Sequence, residues 1–274
     1  VSSRIRLARN LAGVPFVTRA SDPQRSEVVE SVRRASKSAL PDGAMEWLPM
    51  EKTSTHRRQL LVEQHLISKN FAEVDFPRAV ALGCEGELSV MVNEEDHLRI
   101  QALRPGLDLE RAMTEAHRFD EALGQTLDYA FSPRWGYLTA CPTNVGCGIR
   151  VSVMVHLPSL KLTGELERVK RAAKDLNLAV RGFYGEGTDA IGSFFQISNQ
   201  VTLGVREEDL LEEFAQRIVP QIVAYEREAR AMLLERSRLV AEDKVHRAAA
   251  TLQAARLLTA DESLKLLSSL RLGV

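Results

Sequence analysis

Residues 87–99 read ELSVMVNEEDHLR, and no other stretch restricts the fold of this 274-residue chain so tightly. Leu88, Val90 and Val92 alternate with Glu87, Ser89 and Met91, the two-residue period of a strand with one buried face. The strand has to end at residue 93, because Asn93, Glu94, Glu95, Asp96 and His97 crowd three carboxylates onto its end, with Arg99 close behind. Taken alone, such a run reads as a solvated turn. It gains meaning only if another part of the chain is built to face it.

The surrounding pattern supplies candidates. In residues 1–10, VSSRIRLARN, an extended backbone puts Arg4 and Arg6 on one face and Ile5 and Leu7 on the other. A helix is expected over residues 22–39, opened by Asp22 and Pro23 and ended by Pro41-Asp42-Gly43. Residues 60–68 form an apolar segment with one histidine, His65, which in that setting reads as a packed core residue. Residues 78–82 pair with 87–92 through Gly83-Cys84-Glu85-Gly86, a hairpin that carries the acidic cluster to the end of a sheet. Helical spacing of Leu109, Met113, Ala116, Leu123 and Leu127 predicts an amphipathic helix over 107–128, and residues 134–138 and 151–155 read as strands.

A second helix is expected through Leu162, Leu166, Val169, Ala173 and Leu176, then strands at 178–181 and 194–204. From residue 207 onward the pattern is helical, with a long helix bending near Pro220, another over 242–257, and a third capped by Thr259 and Glu262. The expected class is α+β: an antiparallel β-sheet flanked by helices over residues 1–230, with a helical C-terminal extension over 231–274.

Two loops have unusual composition. Residues 141–150, CPTNVGCGIR, combine small residues with a cysteine at the entrance. Residues 181–188, RGFYGEGT, are glycine-rich around a single carboxylate. Glycine lets backbone approach a ligand and a mobile loop can close over one, although on spacing alone both read as connectors. The net charge of -1 argues against a general nucleic-acid or membrane surface. No apolar run nears the roughly 20 residues that span a bilayer, so a soluble cytoplasmic protein is expected. Three cysteines without a zinc-like spacing read as free thiols and offer no metal site.

Arg4, Arg6, Arg99, Arg150 and Arg181 each fall at a strand or loop mouth, and Glu95 and Glu186 lie in loops. Arginine forks match phosphate oxygens, which suits a polyphosphate. Paired carboxylates suit the opposite ligand, a planar guanidinium, which they can grip, orient and deprotonate.

With these residues in view, SSRIR (2–6), NEEDHLR (93–99), CPTNVG (141–146) and RGFYGEG (181–187) occur in the order and spacing of the guanidino-phosphotransferase (phosphagen kinase) family. The resemblance covers roughly the first 230 residues. The stretch RGFYGEGTDAIGSFFQISNQVTLG and the extension with EDKVHRA at 242–248 are similar to the bacterial protein-arginine kinases within it. It implies ATP and magnesium (Mg2+) as cofactors and protein arginine as substrate, marked for a cytoplasmic chaperone-protease system. It further implies a homodimer, a zinc-binding activator protein and a Clp-type chaperone as partners. A kinase for free arginine, or an adaptor that keeps the fold, are the alternatives.

Carried over residue by residue, the resemblance assigns nucleotide contacts to Ser2, Ser3, Arg4, Ile5, Arg6, His65, Arg99, Arg150, Val151, Ser152, Val153, Met154, Arg181, Gly182, Phe183, Tyr184, Gly185 and Glu186. It makes Glu95 and Glu186 the guanidinium-binding carboxylates, with Glu95 as base, and Cys141 the reactive cysteine whose thiolate helps hold a cation. Cys147 replaces the family's usual threonine, which implies greater sensitivity to oxidation. The family's protein-arginine kinases also carry a phosphoarginine-reading motif in helices after the segment matching LRLGV.

Overall fold

The computed structural model describes residues 2–39, 45–73, 75–83, 86–182 and 191–273. The strands are β1 (Ser2–Arg9), β2 (Met45–Pro49), β3 (Ala79–Gly83), β4 (Leu88–Val92), β5 (Leu98–Pro105), β6 (Phe131–Ser132), β7 (Gly136–Tyr137), β8 (Ile149–His156), β9 (Leu178–Arg181) and β10 (Phe194–Asn199). The helices are α1 (Asp22–Ala39), α2 (Thr55–Glu63), α3 (Lys69–Ala72), α4 (Leu109–Gly124), α5 (Pro158–Leu162), α6 (Leu166–Asp175), α7 (Glu207–Glu212), α8 (Val219–Ala254) and α9 (Ala260–Leu272). The chain forms two compact units, one of residues 3–151 and 201–211, the other of 1–2, 152–200 and 212–274.

In the first unit the strand order is β2-β3-β4-β5-β1, followed by the opening residues of β8. β3 pairs antiparallel with β4, and β4 with β5, so the expected hairpin forms. Its burial differs from the one-sided expectation. Ser89, Val90, Met91 and Val92 are all buried, because β4 is an interior strand with cover on both faces. Met91 joins Met50, Leu61, Leu66, Ile67, Phe71, Val80 and Leu82 in one apolar cluster. Helices α1 and α4 also pack against this sheet, α4 through Ala112, Ala116, Phe119 and Leu123. At roughly 1.5–3 kcal/mol for each large apolar side chain fully removed from water, these contacts are the main support of the strand ends that carry charge.

In the second unit β10 lies between β8 and β9, antiparallel to both. Glu226 of α8 accepts backbone N–H bonds from Ser159 (2.8 Å) and Leu160 (3.0 Å), satisfying donors at the start of α5. Helix α9 begins as its sequence indicates, with the Thr259 hydroxyl accepting from the Glu262 N–H at 3.2 Å.

Several expectations need correction. The helix expected through Leu162 and Leu176 is two helices, α5 and α6, because Gly164 takes a left-handed φ of 79° between them. The strand expected over 194–204 ends at Asn199, and the polar groups of Thr202 bond to a loop instead of a neighbouring strand. Near Pro220 the chain widens into a π-helical turn over Glu213–Ile218, and the sharp break in α8 is at Ser237 (φ −143°). A proline lacks the N–H that would bond back to residue 216, so a widened turn before it is the cheaper accommodation. Helix α1 follows Ser21, whose N–H and hydroxyl both reach the Gln24 side chain, so the cap lies one residue ahead of Asp22.

Candidate active site

Strand β1 alternates as its sequence demands: Ile5 and Leu7 are fully buried, whereas Arg4 and Arg6 share the other face. β1 has β5 and β8 as its neighbours in the strand order, and these contribute Arg99 and Arg150. The Arg6 guanidinium is the centre of the group. Burial lowers its proton affinity well below the ordinary arginine range, the positive fields of Arg4, Arg99 and Arg150 lower it further, and Glu94 partly opposes them. Its Nε and Nη2 atoms are inaccessible to solvent and have no hydrogen-bond partner among the described residues. A buried donor left unpaired costs on the order of 1–3 kcal/mol, so this arrangement is expensive unless an anion satisfies it. The chemistry of the set fits a polyphosphate, where several forks meet several oxygens.

His65 lies in the same neighbourhood. It holds a φ of 59°, its carbonyl accepts from Gln101 Nε2 at 2.7 Å, and burial followed by the field of Arg4 brings its pKa down to about 4. It is therefore a neutral imidazole at ordinary pH, able to meet a nucleotide without adding charge.

The acidic cluster divides into two roles. Asn93, at φ 60°, is fully buried and donates to the carbonyls of Arg25 and Pro77, which fixes the turn after β4. Arg99 reaches Glu94 at 2.8 Å and Glu95 at 3.3 Å. Glu94 is held further by the Ser68 hydroxyl at 2.8 Å and is 11% exposed, whereas Glu95 is 45% exposed and available to a ligand. Burial raises the Glu95 pKa; Arg99 opposes the rise and Asp96 and Glu94 add to it. Such a carboxylate is a better proton acceptor than an unperturbed one.

Asp96 and His97 face inward. One Asp96 oxygen, Oδ1, accepts from Asn10 Nδ2 at 2.6 Å and from the Ala140 N–H at 2.7 Å. The residue after Glu95 is thus tied to the residue before Cys141. His97 Nδ1 accepts from the Leu11 N–H at 3.0 Å, which puts the ring proton on Nε2, 3.0 Å from the Pro15 carbonyl. Glu94, Asp96 and Asn10 were not among the residues the sequence singled out for the site. Their types match those of their neighbours, and only the direction of each side chain separates them.

In the loop after β7, Pro142–Asn144 forms a 3-10 turn, and Cys141 Sγ lies 3.0 Å from Thr143 Oγ1. A hydroxyl at that distance can donate to a thiolate. Cys147 behaves differently: its thiol donates to the Thr202 carbonyl at 3.3 Å, and burial pushes its pKa up. Burial disfavours the reactive thiolate form at Cys147 and so works against the oxidation sensitivity expected there.

The other predicted contacts sort by burial. The Ser3 hydroxyl donates to the Gly106 carbonyl and accepts from the Asp108 N–H, while Ile5, Val151 and Val153 are fully buried, so their side chains serve the core and leave only backbone for a ligand. Ser2, Ser152, Met154, Arg181 and Gly182 belong to the second unit, where Gln196 lies in register with both Met154 and Arg181. Phe183, Tyr184, Gly185 and Glu186 lie outside the described residues.

Family models test what this arrangement belongs to. That for the ATP:guanido phosphotransferase C-terminal catalytic domain matches residues 27–229. The chain belongs to this family. The model for the protein-arginine kinase McsB C-terminal domain matches residues 238–274. Among curated relatives of this guanido phosphotransferase, a protein-arginine kinase of Pelotomaculum thermopropionicum is 48% identical over all of this chain and 78% of its own length. One from Bacillus subtilis is 43% identical over all of this chain and 76% of its own. Among solved structures, lombricine kinase superposes with a TM-score of 0.71 at 26% identity, covering 84% of this chain and 66% of that one. No described helix of the phosphotransferase is long and apolar enough to cross a membrane.

Proposed function

We propose that this protein is an ATP-dependent protein-arginine kinase that transfers the γ-phosphoryl group of ATP to arginine side chains of other proteins. The observation that carries the reading is the Arg6 guanidinium, two of whose nitrogens are buried with no hydrogen-bond partner among the described residues, set among Arg4, Arg99 and Arg150 and one ion pair away from Glu95. Arg4, Arg6, Arg99 and Arg150 bind and orient the triphosphate. Glu95 and Glu186 grip the substrate guanidinium, and Cys141 supports its charge. A guanidinium with a pKa above about 12 is a poor nucleophile, so positioning has to lower most of the barrier.

In the transfer the guanidino nitrogen forms a bond to the γ-phosphorus, the bond from that phosphorus to the β-bridging oxygen breaks, and ADP leaves. Glu95 takes the proton lost by the nitrogen. Magnesium, when bound with the nucleotide, supplies charge neutralisation at the phosphates. Resemblance over the whole chain to proteins named protein-arginine kinase favours polypeptide-borne arginine over the free amino acid. In this reading residues 1–230 are the catalytic domain and 231–274 the helical extension.

Phosphoarginine formed on an arginine-bearing protein, quantified by mass spectrometry beside free L-arginine, tests the proposal. Glu95→Gln is expected to lower the transfer rate by roughly 10²–10⁴-fold with ATP affinity retained. A near wild-type rate in that variant removes Glu95 as the base, and transfer to free L-arginine alone replaces the protein substrate with a small one.

A further inference from the structure

The segment 141–147 is fastened at its entrance by the Asp96 bond to the Ala140 N–H, but its interior is held from elsewhere. Thr202, 3% exposed, lies outside every strand and helix and places its Oγ1 2.9 Å from the Thr143 carbonyl and 2.7 Å from the Val145 carbonyl. Its own carbonyl oxygen receives the Cys147 N–H at 3.3 Å and the Cys147 thiol at 3.3 Å. Gly146 passes so close, at φ 116°, that a Cβ there would meet the Thr202 oxygen at 2.4 Å. Contacts from four residues of the loop therefore converge on one threonine. A hydroxyl has one proton to give, so both carbonyls must turn toward it, one from within the 3-10 turn and one from the residue after it, which fixes the end of that turn. Thr143 is the residue whose hydroxyl meets Cys141 Sγ.

We propose that Thr202 is a positioning residue for Cys141: its hydroxyl holds the backbone of Thr143 so that the Thr143 side chain can donate to the Cys141 thiolate. The proposal rests on the reading that Cys141 supports the incoming guanidinium. Valine has nearly the same shape and cannot donate, which leaves the Thr143 and Val145 carbonyls facing a methyl group and frees the turn to move. Serine keeps the donor.

The test compares wild type, Thr202→Val and Thr202→Ser in the full chain. The first readout is the rate of iodoacetamide alkylation at Cys141, followed on the peptide that contains it at fixed pH; the second is kcat for phosphoarginine formation with KM for ATP. Thr202→Val is expected to slow Cys141 alkylation about tenfold, the scale of one lost hydrogen bond to a charged group. It should lower kcat in parallel and leave KM for ATP within about twofold, since no arginine of the phosphate cluster is touched. Thr202→Ser should restore both rates.

Wild-type alkylation in Thr202→Val overturns the proposal, as does equal impairment of Val and Ser. Loss of ATP affinity alongside kcat overturns it in favour of general disruption. If Thr202→Val fails to fold, Thr202→Ala, which leaves room for a water, takes its place. Alkylation does not depend on kinase activity, so a shift in alkylation without any arginine phosphorylation by wild type supports the positioning role while refuting the proposed function.

Discussion

Arg6 and Arg9 stand three residues apart on β1, both with buried guanidinium groups, and they have opposite surroundings. Arg9 donates to Asp120 through Nε at 3.0 Å and Nη2 at 2.7 Å, gives Nη1 to the carbonyls of Ala8 and Cys147, and lies 3.5 Å from the centre of the Tyr137 ring. Every nitrogen of that group has a protein partner. Arg6 has two nitrogens with none among the described residues, and the charges acting on it include three more arginines. One end of the strand holds a cation for the fold; the other holds a cation against the fold's preference. The contrast teaches that burial of a charge does not by itself identify a site; Arg6 stands apart because two donors of one guanidinium are unmet while further arginines crowd it.

The largest effect expected from this comparison is at the paired end. Arg9→Met leaves the Asp120 carboxylate buried without its cation and is expected to destabilise the protein by about 3–5 kcal/mol, read in urea or thermal unfolding. At the orphaned end the sign reverses. Arg6→Met removes unpaired donors and repulsion, so the nucleotide-free protein is expected to gain about 1–3 kcal/mol while the rise in Tm on adding ATP disappears. A loss of stability in Arg6→Met comparable to that in Arg9→Met would erase the distinction.

The smallest effect is a titration that reports the field around Arg6. His65 has a folded pKa of about 4 against an ordinary 6.5, with burial the larger cause and Arg4 the smaller. Because the folded state resists protonation, the stability from neutral His65 is complete above pH 6.5 and is lost as pH falls toward 4. Arg4→Gln should raise the His65 pKa by only part of that difference, followed by NMR, and a bound triphosphate should raise it in the same direction. A pKa indifferent to both would separate His65 from the arginine cluster.

Much of the fold can be read from local pattern. The alternation at Arg4, Ile5, Arg6 and Leu7 specifies two faces of a strand, the spacing from Leu109 to Leu123 specifies a helix, and Thr259 with Glu262 marks a helix start, because each signal depends on residues a few positions apart. The break at Gly164 and the early end of β10 were not legible in the same way. Glycine is tolerated inside a helical pattern, and the groups that Thr202 bonds are 57 and 59 residues away along the chain.

The candidate site divides along the same line. The sequence determined which chemistries were available: arginines at strand and loop mouths, carboxylates after β4, a cysteine opening a small-residue loop. Residue type and spacing did not separate Glu95 from Asp96, adjacent carboxylates of like chemistry, nor Arg6 from Arg9; within the sequence only the family resemblance did. Tertiary structure decided those cases, turning Asp96 toward Asn10 and Ala140 and bringing Asp120 across 111 residues to Arg9 while bringing no acceptor to two nitrogens of Arg6. The physical reason is that a polar group's role depends on whether its hydrogen bonds are already made, and the partners that make them are chosen by the packing of distant segments.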